Sequence, residues 1–218
     1  MKKIFLLSVI AGIALTGCKK TMTNVSEAHH VSYPTILISS DLYYSIPVGG
    51  NLPTVTATAY DSFYREVDPV VIDQSLLDNS TPGLYSITLS AKNKYGMTSY
   101  ASVYIGVTSA DPALDLSGTY IRLATPGRVA NVTKLGTGLF MTDNVGGVDV
   151  TDPTTGAQIS AVFVVTSDTT LDFGTQLTSG GTLTGSQQTL TLNPGDTTLN
   201  YALALSGFGT QVRTFVKQ

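Results

Sequence analysis

Few side chains in this sequence are suited to chemistry, and those few are widely spaced. Cys18 is the single cysteine among 218 residues. A thiolate nucleophile needs a positioned base. The two histidines, His29 and His30, are adjacent in the polar stretch "TNVSEAHHVSYP", which reads as a tether. Cys18, His29 and His30 also supply too few ligands, at unsuitable spacing, for a zinc site. The thiol therefore has neither base nor metal, and its position becomes the informative fact.

Carboxylates offer no better constellation. A glycosidase needs two acids across one bond. Here Asp152 precedes Pro153, while Asp143 and Asp196 sit in "TDNVGG" and "NPGD", where aspartate supplies turn hydrogen bonds. The stretch "DNVGGVDVTD" holds oxygens at Asp143, Asn144, Asp149 and Asp152, but their spacing does not match a calcium loop. No G-x-S-x-G elbow, Walker loop or dinucleotide glycine fingerprint is present. These residues predict no catalysis, no cofactor and no bound metal.

Aromatic residues are the better clue to binding. Tyr100 and Tyr104 lie four apart on one outward strand face, about 13 Å along it. Two rings so placed could stack on a ligand, each offering apolar area with a hydroxyl. Alternatively they cover the sheet or pack on a neighbouring body. Phe140, Phe163 and Tyr201 could line a cavity further along the chain, and are more simply core.

Composition bounds the elements that carry these residues. Only 12% of residues are charged, while 21 glycines, 9 prolines and 11 tyrosines accompany abundant threonine and serine. Thr and Tyr suit pleated, half-buried surfaces, and Gly and Pro punctuate turns, so an all-β protein of short strands is expected. The formal net charge of −3 and the lack of a basic stripe argue against nucleic acid as a partner. Without paired cysteines there is no disulfide framework, so each body must stand on its own core.

The first residues read as a leader. "MKK" is positively charged, and the twelve-residue apolar stretch "IFLLSVIAGIAL" is short of the roughly 20 needed to span a bilayer. The "LTGC" that follows resembles the lipobox of bacterial lipoproteins. That resemblance implies cleavage of a signal peptide, residues 1–17, and a diacylglyceryl thioether on Cys18. Cys18 is then a membrane graft, and residues 18–32 are its tether.

Residues 33–109 form a first β body. "TVTATAY" places Val55, Ala57 and Ala59 on one face; "GLYSITLSAKN" does the same with Tyr85, Ile87, Leu89 and Ala91. "TSYASVYIGV" puts Ala101, Val103, Ile105 and Val107 opposite Tyr100 and Tyr104. About seven short strands suggest a sandwich. Gly83, Tyr85, Ile87, Ala91, Asn93, Gly96 and Val107 follow the pattern of the last two strands of Ig-like domains on bacterial surface proteins, and Asp61 ends the corresponding early strand. This body resembles those domains, which serve as spacers or adhesive modules.

"TSADPALDLSG" marks a boundary, and residues 113–218 form a second antiparallel β body. Eight short segments with no helical window predict a sandwich or a lipocalin-like barrel. One strand places Ile159, Ala161, Phe163 and Val165 on one side, and another places Leu199, Tyr201, Leu203 and Leu205 there. "DLSGTYIR" and "VANVTKLGTGLFMTDNVGG" resemble the opening of the C-terminal β domain of Bacteroidetes surface lipoproteins encoded among glycan-uptake genes. The resemblance implies an outer-membrane, lipid-anchored accessory protein that captures glycan or another nutrient beside an uptake protein. Alternatives are adhesion to a protein partner and carriage of a small apolar ligand. Lys19 and Lys20 stand where surface-exported relatives carry acids, which leaves both the cell surface and the periplasmic face open.

Overall fold

The computed structural model describes residues 31–65, 67–149, 151–152, 154, 156–193, 195–205 and 209–218. Among the described residues it is all-β, with 54% in strands and no α-helix. Ser32–Gln218 form one compact unit containing two hydrophobic cores that meet at a third.

Six strands build the first body. β1 (Thr35–Ile38) pairs antiparallel with β3 (Ala57–Tyr60). A four-stranded sheet runs β2 (Tyr43–Pro47), β6 (Thr98–Thr108), β5 (Gly83–Lys92) and β4 (Val71–Asp73), with β2 parallel to β6. Alternation dictates the packing. Ile87, Leu89, Val103, Ile105 and Val107 turn inward and are fully buried, with Ile36, Ile38 and Ala57 of the small sheet packed against their cluster. The long β5–β6 hairpin turns through Gly96 at φ +83°, a backbone conformation that favours glycine.

A polar latch holds the hairpin end of this body. The Asp61 carboxylate accepts hydrogen bonds from the main-chain N–H groups of Phe63 and Tyr64, from Ser32 Oγ and from Asn93 Nδ2, each at 2.9 Å. Asn93 Nδ2 also donates to the Ser32 carbonyl, and its Oδ1 accepts from Tyr95 N and Met97 N. Burial alone would raise the Asp61 pKa, but the bonds from Asn93, Tyr64, Phe63 and Ser32 outweigh it and hold the group at about 2.

The second body is a closed barrel, which decides between the two architectures that its sequence allowed. β7 (Gly118–Arg122), β8 (Val129–Gly136), β9 (Leu139–Thr142), β10 (Ala161–Ser167) and β11 (Thr170–Asp172) form a meander. β13 (Gly181–Asn193), β14 (Asp196–Ala204) and β15 (Arg213–Lys217) continue it, β15 pairs back to β7, and β11 touches β13 at Thr170–Thr189. All eight barrel strands pair antiparallel. A ninth strand, β12 (Thr175–Thr178), hangs on the first half of β13.

Closure at the short β11 is completed by side chains. The Gln176 amide accepts from Val162 N (2.9 Å) and donates to Val162 O and Phe173 O (both 2.7 Å), so it stands in for a strand beside β10. Gln188 accepts from Phe173 N and donates to Asp172. Inside the barrel, Phe140, Phe163, Phe173, Tyr201 and Phe215 form a chain of ring contacts, with successive centroids 4.7–5.6 Å apart. The inward sets that the alternation predicted, from Ile159 to Val165 and from Leu199 to Leu205, all belong to this core.

Candidate functional site

The two bodies dock through the outer face of β5 and β6. Leu84 packs with Leu139, Val162 and Val164 of the barrel wall, with Tyr43, Tyr104 and Leu135 at the margin. Backbones come close here. A Cβ on Gly106 would lie 2.9 Å from Leu139 Cδ1, and one on Gly174 only 2.4 Å from the Leu84 carbonyl oxygen. The Leu84 N–H donates to Asp172, Thr108 Oγ1 to Val165 O, Ser109 Oγ to Thr166 O and Ser45 Oγ to Thr137 O.

Beside this seam lies a cleft of about 400 Å³. Ser86, Thr88, Tyr100 and Ser102, all from the outward face of β5 and β6, form one wall. Thr175, Gln176 and Leu177 of β12, with Thr182 of β13, form the opposite wall. Leu84 and Tyr85 lie at its seam end, and Leu76, 79% exposed, also lines it. No Asp, Glu, Lys, Arg or His is among these lining residues. The surface is thus apolar area studded with neutral hydroxyls, able to exchange hydrogen bonds with a neutral polar ligand.

Tyr85 contributes ring edge more than a free hydroxyl. Its O–H donates to the Thr81 carbonyl at 2.9 Å. Burial raises its pKa, and the Asp78 and Asp172 carboxylates push the same way. The phenol therefore stays protonated throughout the physiological range.

Tyr100 and Tyr104 have separate environments. Tyr100 is 67% exposed and lines the cleft. Tyr104 stacks on Tyr43 of the neighbouring strand (centroids 6.2 Å, planes 12° apart), and its O–H donates to the Leu177 carbonyl at 3.2 Å. Burial is the main cause that raises the Tyr104 pKa. Tyr104 instead lines a smaller hollow of about 110 Å³, with Tyr43, Met141 and Ser160. Leu177 and Gln176 border both concavities. The spacing of the two tyrosines thus gives one cleft aromatic and one seam aromatic. Ser86 and Thr88, which the alternation of "GLYSITLSAKN" turns outward, and Ser102 between the two tyrosines complete the wall.

The other residues singled out by type are engaged elsewhere. Asp143 accepts from the N–H and side-chain amide of Asn131 across the β8–β9 pair. Asn144 is buried, donating to Val129 O and Val148 O and accepting from Val148 N, so it shapes the loop. Asp149 and Asp152 each accept from the N–H and hydroxyl of a threonine two residues on. That loop covers one barrel end, where Tyr201 O–H, Arg213 Nε and Arg122 Nη1 donate to the Val145, Gly146 and Gly147 carbonyls. Phe140, Phe163 and Tyr201 are buried members of the barrel core. Cys18, His29 and His30 lie outside the described residues.

Fold and cleft together define an all-β protein with a two-sheet body docked on a closed barrel. No family model matches the chain, and no curated protein does. Among solved structures, the crystal structure of the lipoprotein BT2262 from Bacteroides thetaiotaomicron is similar over 85% of this chain and 100% of its own, at 20% identity and a TM-score of 0.37.

Proposed function

We propose that this chain is a lipid-anchored protein of the bacterial envelope that captures a neutral glycan in the cleft between its two bodies, without catalysis. The observation that carries the reading is the lining of that cleft. Tyr100 offers a ring face, Leu76, Leu84 and Leu177 offer apolar area, and Ser86, Thr88, Ser102, Thr175 and Thr182 offer hydroxyls. Sugar rings present that same mixture of apolar C–H faces and hydroxyls. The lining has no charge with which to satisfy a uronate or sulfate, whose desolvation would go uncompensated.

The anchor reading rests on the lipobox-like "LTGC" and makes Cys18 the first residue of the mature chain. The resemblance of the first body to Ig-like domains fits a spacer, and the Bacteroidetes-like opening of the second fits a place beside an outer-membrane uptake protein. Lys19 and Lys20 leave both faces of the outer membrane open, and protease shaving of intact cells separates them.

The deciding experiment is a binding screen of the full chain against neutral and acidic polysaccharides. Saturable binding of neutral members, lost in Tyr100→Ala, is the expected result. Binding restricted to acidic members overturns the reading. Absence of any saccharide binding, with a membrane protein retained in pull-down, moves the function to adhesion or assembly.

A further inference from the structure

We infer that the binding track continues from the cleft past Leu177 into the small hollow at Tyr43, so that its ligand is a linear neutral oligosaccharide of at least two consecutive sugar units. The inference rests on the glycan reading of the cleft and fixes the kind of glycan.

Strand register joins the two concavities. On the outer face of the four-stranded sheet, Thr88 lies opposite Ser102, Ser86 opposite Tyr104, and Tyr104 in turn opposite Tyr43. Ser86, Thr88 and Ser102 line the cleft, whereas Tyr104 and Tyr43 line the hollow. One sheet face is therefore the floor of both. They also share a wall, since Gln176 and Leu177 of β12 border each of them. The hydrogen bond from Tyr104 O–H to the Leu177 carbonyl ties floor to wall where the two meet. The Leu177 side chain is 64% exposed there, an apolar surface common to both.

The spacing sets the length of the ligand. Tyr100 and Tyr104 are four residues apart on β6, about 13 Å, and Tyr43 lies one strand further across, about 5 Å. A single six-membered ring on Tyr100 does not reach Tyr43, whereas consecutive units of an extended chain reach both. The chemistry at the two ends is alike. Tyr100 stands with the hydroxyls of Thr88 and Ser102, and the half-buried Tyr43–Tyr104 pair stands with Met141 and the exposed Ser160. No Asp, Glu, Lys, Arg or His lines either concavity. Once one unit is held at Tyr100, contact of a later unit at Tyr43 is intramolecular, so a longer chain gains affinity without a second encounter.

The test takes the full chain and size-graded oligosaccharides, monosaccharide to hexasaccharide, cut from a neutral polysaccharide that it retains. Calorimetric affinity is expected to rise about tenfold from the monosaccharide to the longer members, the worth of one added ring contact. Tyr43→Ala and Ser160→Phe, which fills the hollow from an exposed position, should each flatten that rise. Tyr100→Ala should weaken binding at every length. If Tyr43→Ala fails to fold, Ser160→Phe decides. Equal affinity at all lengths, or a rise that survives Ser160→Phe, overturns the inference and leaves capture in the cleft standing. Retention of no neutral polysaccharide sinks the capture reading first, and this inference with it.

Discussion

The carboxylate of Asp172, at the end of a barrel strand, accepts the main-chain N–H of Leu84 in the first body at 2.9 Å. β4 pairs with β5 only over Thr88–Ser90, so at Leu84 the carboxylate takes a place that no strand fills. The other Asp172 oxygen accepts from Gly174 N and Gln188 Nε2. One side chain therefore joins the seam to the barrel closure.

Replacing Asp172 with Ala leaves the Leu84 N–H without its acceptor and frees the Gln188 amide. An unsatisfied group of this kind costs about 1–3 kcal/mol. Urea unfolding is expected to show a lower midpoint, with Asp172→Asn less affected because it keeps an acceptor oxygen. Equal midpoints for wild type and Asp172→Ala would remove the seam role.

The two seam glycines should differ in tolerance. At Gly174 an added methyl meets the Leu84 carbonyl oxygen at 2.4 Å, and φ is +53°, so main chain must move. At Gly106 it meets Leu139 Cδ1 at 2.9 Å and Val164 Cγ2 at 3.0 Å, side-chain atoms that can turn aside. Overpacking costs about 1–3 kcal/mol. Gly174→Ala is expected at or above the top of that range and Gly106→Ala near the bottom, read by thermal unfolding.

Gln176 satisfies three buried main-chain groups with one amide. Gln176→Leu keeps the bulk and strands all three, at about 1–3 kcal/mol for each. Amide exchange at Val162 should rise in this variant well before global unfolding. Unchanged protection there would show that the wall closes without the amide.

Asp61 predicts an acid limit. Its folded pKa of about 2 lies below the ordinary 3.8, so the folded state binds its proton more weakly than the unfolded one. The resulting stability is complete above pH 3.8 and is lost as pH falls through 2. Asn93→Ala removes one donor from the carboxylate and is expected to raise its pKa, moving this part of the acid loss to higher pH. Carboxyl-carbon NMR titration of Asp61 in both proteins measures the shift directly.

Much of the barrel can be read from its sequence because alternation and burial coincide. Leu199, Tyr201, Leu203 and Leu205 alternate and do fill the interior. β12 escapes such reading because its one inward side chain is polar. Gln176 turns in as a main-chain substitute, while Leu177 turns out and is 64% exposed, so the four-residue pattern runs opposite to the rule. The cleft escapes it for another reason. Its walls come from residues 76–102 and 175–182, and only docking of the two bodies brings them together. Tyr100 and Tyr104 could be singled out on their strand, but Tyr43 and Leu177, which set them apart, lie 61 residues upstream and 73 downstream of Tyr104.

The pairing of β15 with β7 also orders events in time. Lys217 lies opposite Tyr120, so the barrel cannot seal until nearly its whole length is synthesised. Such remote pairings place β proteins in the millisecond-to-second range of folding. The β5–β6 hairpin needs only neighbours in sequence, so the first body can settle early and give the later strands a wall to assemble against.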